Sequence, residues 1–382
     1  MQAGTSALVE HVSRLRLVDH HVHGCWTSAG DRARFENALN EANTEPLAEF
    51  DSGFDTQLGF AVRAHCAPVL GLSPHAAADD YWKRRAELTE SAVAQMFLTA
   101  AGVDDWLVDT GIGTGVADID AMGTLSSGRV HEVVRLEQIA EEALQGGGDY
   151  ADAFDDRLCR RTATAVATKS ILAYRAGFDG DLSEPTAIEV ADAADKWRDT
   201  GVGRLTDRVL LRFGLHRAIR LGKPLQLHVG LGDRDCDLHK ANPLLLLDFL
   251  RDVTIRSLCP PIMLLHCYPF ERESGYLAQA FNNVYVDGGL SINHLGARGR
   301  GVVARLLELA PFRKILYSSD GFGPAELHFL GAVLWRRGIR DVLAGFVDAG
   351  EWSEADAVRV ADLIGYRNAA RVYGIESDER ST

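Results

Sequence analysis

Two histidines one residue apart, His21 and His23 in Arg14-Leu-Arg-Leu-Val-Asp-His-His-Val-His23, are the groups in this sequence best spaced for metal chemistry. Side chains two apart on a strand share a face, so His21 and His23 reach one ion while His20 faces the other way and Asp19 is left as support. Matching groups end later apolar runs: His228 in LQLHVG, His266 in IMLLHCYP and Asp320 in ILYSSDG. Imidazole and carboxylate suit zinc and related divalent ions. For His228 the alternative is a buried histidine bonded to a nearby carbonyl. His266 reads either as a ligand to a second metal or as a donor that polarises a scissile carbonyl. Asp320 can touch the metal and take a proton from activated water, or it can cap the helix that starts near Pro324 and Glu326.

Lys169 ends TATAVATKS and leaves three readings open. An ammonium has no lone pair for a metal, so ligation requires a carboxylated Lys169 that bridges two ions. Otherwise it binds substrate as a cation, or pairs with a barrel carboxylate such as Glu137.

Single residues on separate strands converge only if the strands are parallel and closed around a centre. Eight compact apolar runs fit that demand, near 14–20, 103–109, 130–136, 163–169, 224–229, 261–267, 283–287 and 314–319. Helical periods lie between them, as in Arg204 to Leu221 with its Gly222 stop and in AIEVADAADKWRDTG. The expected fold is therefore α/β: a (β/α)8 TIM barrel forming one domain over 1–382. About 80 residues separate the first two strands, roughly twice one crossover, which predicts a helical insertion over about 30–100 above the mouth. Its pieces are Glu36 to Leu47, Asp55 to Leu70 and His75 to Ala100. A closing helix is expected around Ala361 to Val372, then a frayed tail, ESDERST.

Composition narrows the function. The 46% hydrophobic and 25% charged fractions suit a globular chain, and a net charge of −14 with no dense basic run argues against nucleic acid. The six cysteines show no CxxC spacing, which fits reduced thiols. Neither a signal peptide nor a membrane-length apolar stretch is present, so a cytoplasmic protein is expected.

The order Asp19-x-His21-x-His23, Lys169, His228, His266, Asp320 resembles the amidohydrolase superfamily of metal-dependent hydrolases. More narrowly, KSILAYRAGF, LQLHVGLGDRDCDLHKANP, LLHCYPFERESGYLA, NVYVDGG and LELAPFRKILYSSDGFGPAELHFLGA look like the amidohydrolase domain fused to glutamine synthetase in nodulin and FluG-type proteins. The likeness spans the first strand and about 130–372, and the 24–102 stretch offers little to match. It implies one or two divalent ions, zinc first, held by His21 and His23 with His228 joining them, His266 holding a second metal or orienting substrate, and Asp320 as general acid/base. The reaction implied is hydrolysis of a C–N amide bond, by analogy of a γ-glutamyl amide or similar amino-acid conjugate. The residues expected to read such a small molecule are Glu137, Arg175, Asp233, Asp237, Tyr268 and Arg272. A homo-oligomer is compatible with the resemblance. A metal-dependent decarboxylase or a uronate-isomerase-like enzyme uses the same scaffold, and a non-catalytic binding barrel is the reading of another class.

Overall fold

Strands buried on both faces need apolar residues throughout, and the chain's shortest apolar runs supply them. In the computed structural model, which describes residues 4–43, 46–255 and 259–375, one parallel sheet runs in chain order. Its strands are β1 (Leu17–Val22), β2 (Val103–Asp109), β3 (Arg129–Arg135), β4 (Ala167–Ser170), β5 (Leu225–His228), β6 (Ile262–Leu265) and β7 (Val284–Val286). Every residue of β1 and of β4 to β7 is buried.

The run expected at 314–319 makes no ladder of its own, yet it lies between β7 and β1. Ile315 bridges Val286, Leu316 N–H donates to Val286 O (2.9 Å), and His20 N–H donates to Tyr317 O (3.2 Å). Side chains replace the missing rungs: the Asp19 carboxylate accepts from Ser319 N–H (3.0 Å), and Ser318 Oγ donates to Asp287 Oδ1 (3.1 Å). Residues 315–320 thus close the ring, and the fold is a (β/α)8 barrel.

Local chemistry sets the boundaries. β1 starts at Leu17, later than expected, because the helix Gly4–Arg14 occupies the preceding residues. β4 starts late because the helix Tyr150–Arg161 reaches Thr162, whose hydroxyl bonds Leu158 O (2.7 Å). The helix expected from Arg204 begins at Arg208, where Asp207 accepts from Val209 and Leu210 N–H, and it ends at Gly222 with φ 76°. The helix Ala187–Thr200 carries a Thr186/Glu189 capping box and stops at Gly201.

The insertion is less helical than its pattern. The first piece forms only Arg32–Asn37, because the Asn37 side chain turns back to accept from Leu47 N–H (2.8 Å) and Glu36 accepts from Gly53 N–H (2.9 Å). The second starts at Gln57 under a Thr56 cap and passes through a π turn over Val62–Cys66. The third splits into Ala78–Ala86 and Glu90–Ala101, the latter capped by Thr89. Phe35, Phe54 and Tyr81 pack with ring centres 5.7–6.1 Å apart. Arg85 binds both Glu90 (2.7 Å) and Glu326 (2.7 Å), which fastens the insertion to the helix Ala325–Asp348. The helices therefore flank the barrel, and a non-helical turn containing Glu41 reaches its mouth. The closing helix is broken into Glu354–Asp362, a π turn and Asn368–Tyr373, and the tail ESDERST lies outside the described residues. No helix among the described residues is long and apolar enough to cross a membrane.

Candidate metal centre

At the C-terminal mouth the strand ends bring their polar groups together. His21 Nε2 lies 3.1 Å and His23 Nε2 3.5 Å from Asp320 Oδ1, and His266 Nδ1 lies 3.3 Å from Asp320 Oδ2. The His228 ring centre is 4.6 Å from that of His266. Two groups offer donor atoms within 4.8 Å of one another: His21, His266 and Asp320, and His21, His23 and Asp109. His266 (φ 70°) and Asp320 (φ 50°) occupy the left-handed region that non-glycine residues avoid, at the points where the chain leaves the barrel wall.

The supporting hydrogen bonds fix which nitrogens face the centre. Gln226 uses its amide N–H groups on His20 O (2.7 Å) and Tyr373 Oη (2.9 Å), so its Oε1 must accept from His21 Nδ1 (2.9 Å). That leaves the His21 Nε2 lone pair pointing inward. His23 Nδ1 donates to Asp109 O (3.3 Å), with the same result. His20 faces away, between Asp287 Oδ2 (2.9 Å) and Tyr373 Oη (2.9 Å), as strand alternation requires. Asp287 Oδ1 also accepts from His266 N–H (2.9 Å). Burial alone would raise the Asp287 carboxyl, but these donors hold it at about 2.

Burial also keeps the imidazoles neutral, lowering His23 to about 3 and His266 to about 4 and pushing His21 and His228 down. Burial works against ionisation of Asp320 too, yet His266 and His21 hold it well below the usual carboxylate range. Asp19 goes the other way: buried beneath the strand ends, its carboxyl is pushed up to about 8. Neutral imidazoles beside an ionised carboxylate are a divalent-metal donor set. His228 Nε2, both ring nitrogens of His266 and Asp320 Oδ1 are buried without hydrogen-bond partners, which is how a site built around an ion reads when its protein groups alone are considered.

Lys169 Nζ sits 2.9 Å from His21 Nε2 and 3.6 Å from Asp109 Oδ2. Its carboxylate neighbour is thus Asp109, not Glu137. Sequence reasoning missed Asp109 and Arg135, which pair at 2.6 Å, although both end predicted strands as the histidines do. Burial opposes ionisation of Asp109, but Arg135 and Lys169 outweigh it and hold the carboxyl low.

A cavity of about 290 Å³ opens over the centre, lined by His23, Lys169, His228, His266 and Asp320 and, further out, by Glu41, Arg135, Tyr174, Arg175, Arg204 and Asp233. Of the residues expected to read substrate, Arg175 and Asp233 line it. Glu137 instead accepts from Ser170 Oγ (2.7 Å) and Ile171 N–H (3.0 Å), tying β4 to its own helix. Asp237 pairs with Lys240 (3.0 Å) beyond the cavity wall. Tyr268 braces the β5 loop through its carbonyl, which accepts from Leu231 N–H (2.7 Å), and it does not line the cavity. Arg272 lies in the first turn of the helix Glu271–Ala280 and turns outward to Glu308 (2.6 Å). Gly232 permits close packing here: a Cβ on it would stand 2.2 Å from Tyr174 Oη and 2.7 Å from His228 Nε2. Glu41, which the helical pattern of the insertion hid, is the other residue missed.

A family profile described as amidohydrolase matches residues 18–375. The chain belongs to the amidohydrolase family. The fluG protein of Emericella nidulans is 29% identical over 231 residues, covering 56% of this chain and 26% of that protein, so the chain spans about a quarter of that relative's length. A provisionally described metal-dependent hydrolase from Lactobacillus casei superposes over 98% of this chain and 99% of its own, with a TM-score of 0.81 and 28% identity. A uronate isomerase from Bacillus halodurans covers 98% of this chain and 96% of its own at a TM-score of 0.65, but at 14% identity it shows the shared fold alone. The family and the Lactobacillus casei neighbour point to a metal-dependent hydrolase, and the mouth supplies candidate histidine and aspartate donors.

Proposed function

We propose that this amidohydrolase cleaves a C–N amide bond in a small molecule, with zinc held by His21, His23 and Asp320 and supported by His228 and His266. The observation that carries the reading is the convergence of His21, His266 and Asp320 donor atoms within 4.8 Å at the barrel mouth, with His23 Nε2 3.5 Å from Asp320 Oδ1 and several of these atoms buried and unpartnered. A divalent ion there supplies Lewis acidity, polarising a carbonyl oxygen and making water acidic enough to attack near neutral pH.

The chain's own groups handle the protons. Asp320, ionised at neutral pH, accepts a proton from the attacking water and delivers it to the departing nitrogen. Burial of His228 and His266 excludes competing solvent and leaves His228 Nε2 and the His266 ring nitrogens free for the carbonyl oxygen or the ion. Lys169 belongs to the same reading. Its amine now occupies the one lone pair of His21 Nε2, and carboxylation would turn that competing cation into an oxygen donor. Arg175 and Asp233 on the cavity wall suit the carboxylate and ammonium of an amino-acid conjugate, a γ-glutamyl amide being the simplest.

The test is metal analysis of purified protein together with amine release from γ-glutamyl amides. About one or two equivalents of zinc, and activity abolished by chelator, are expected. Less than about a tenth of an equivalent, or activity indifferent to chelator, sinks the proposal. Intact mass decides Lys169, since the carbamate adds the mass of carbon dioxide.

A further inference from the structure

The turn that carries Glu41 and the loop after β5 meet over the mouth, where the Glu41 and Asp233 carboxyl groups line one cavity and burial, with Asp233 beside it, raises Glu41. Two acidic groups on one cavity wall call for a shared proton or a cation, and neither has an ion-pair partner among the described residues. The cations on the cavity wall are already engaged: Lys169 (3.6 Å) and Arg135 by Asp109, Arg204 by Asp235, and Arg175 in part by Glu141 (3.1 Å). Arg175 keeps one group free, since its Nε is buried with no partner and its side chain is only 9% exposed. The cavity thus offers an unmatched acidic pair and an unmatched guanidinium N–H beside the metal donors.

We propose that Glu41 and Asp233 together form the receptor for a substrate ammonium group, with the Arg175 Nε–H facing the accompanying carboxylate. An ammonium between the two carboxylates donates to both and balances their charge, whereas a neutral NH2 group supplies donors without the charge. Burial and the neighbouring carboxylate raise Glu41 well above its ordinary value, so a cation there relieves a cost the free protein carries. The inserted segment, through Glu41, then selects amine-bearing substrates. This rests on the amide-hydrolase reading, which supplies the choice of probe.

The experiment is equilibrium binding to the full-length protein under chelator, so that no turnover intervenes, using L-glutamine and its deamino analogue glutaric acid monoamide. Charge-assisted hydrogen bonds to the ammonium should favour glutamine by about ten- to a hundred-fold. In Glu41→Gln and in Asp233→Asn the preference should shrink to within about two-fold, with monoamide affinity unchanged. Equal affinities in the unmodified protein, preserved preference in both variants, or binding of neither probe overturns the receptor. Because binding is read without chemistry, a retained preference with no amide cleavage would overturn only the amide-hydrolase reading.

Discussion

Replacing Gln226 by leucine separates the orientation of His21 from its identity. The substitution removes the Oε1 that accepts from His21 Nδ1 and the amide that serves His20 O and Tyr373 Oη. Tyr373 Oη keeps its bond to His20 Nδ1, so two buried groups are stranded, His21 Nδ1 and the His20 carbonyl. At about 1–3 kcal/mol for each stranded group, the fold loses about 2–6 kcal/mol. The loss of a partner that orients a metal-binding imidazole costs about 10- to 100-fold in metal affinity, or about 1.4–2.7 kcal/mol. The substitution Gln226→Glu should behave differently, since a carboxylate still accepts from His21 Nδ1. Urea unfolding of the chelated proteins gives the first quantity, and zinc competition against a chromophoric chelator gives the second. Expected are two losses for Gln226→Leu and a stability loss with near-normal zinc affinity for Gln226→Glu. Folded Gln226→Leu protein that holds zinc as tightly as the unmodified chain refutes the orientation argument.

Other outcomes follow from the same geometry. Asp320→Asn should lower kcat by about 10²- to 10⁴-fold, because the proton acceptor is lost while the shape is kept, and steady-state amine release measures it. Gly232→Ala drives a methyl group into Tyr174 and His228, so turnover and zinc affinity should fall together; undiminished values would mean that the loop yields freely. In the chelated protein, His23 and His266 stay neutral down to about 3 and about 4 when folded, whereas unfolded imidazole takes up a proton below about 6.5. Unfolding between pH 6.5 and 4 therefore binds protons, so stability present above pH 6.5 should decline as pH falls. Asp19, held protonated to about pH 8, opposes this together with the raised Glu41, Glu137 and Asp233, while the lowered His21, His228 and His294 reinforce it. A urea midpoint that is flat or rises on acidification through that window contradicts the assignment.

The strand-end donors were legible because a parallel barrel strand is apolar on both faces, so His228, His266 and Asp320 stand out where the runs end. Alternation alone separated His20 from His21. Partners that depend on a side chain's direction across the barrel were not legible: Lys169 faces Asp109 on β2, while Glu137, two residues beyond β3, turns back to Ser170. Arg272 looked close to the mouth because it follows β6, but its place on the helix aims it at Glu308. The insertion misled for a different reason. Its apolar spacing is helical, yet Asn37 and Glu36 bond the returning chain and leave Glu41 on a turn. The last run read as a strand, and its Ser318 and Ser319 exchange ladder bonds for bonds to the Asp287 and Asp19 carboxylates.

The closure between β1 and residues 315–323 has a topological consequence. Four backbone bonds stitch it at the mouth: Asp320 N–H to His21 O, His23 N–H to Gly321 O, Trp26 N–H to Gly323 O and Gly323 N–H to Gly24 O. The same two stretches carry His21, His23 and Asp320, so an ion shared by them acts as a clasp between the beginning and the end of the chain. Chain-closure entropy grows only with the logarithm of the enclosed length, and the loop from His21 to Asp320 encloses about 300 of the 382 residues, so the clasp acts near the upper end of that scale. Stripping the ion should thus loosen the first and last segments together, and amide exchange in β1 and in 315–323 should accelerate in concert while β4 to β6 stay protected.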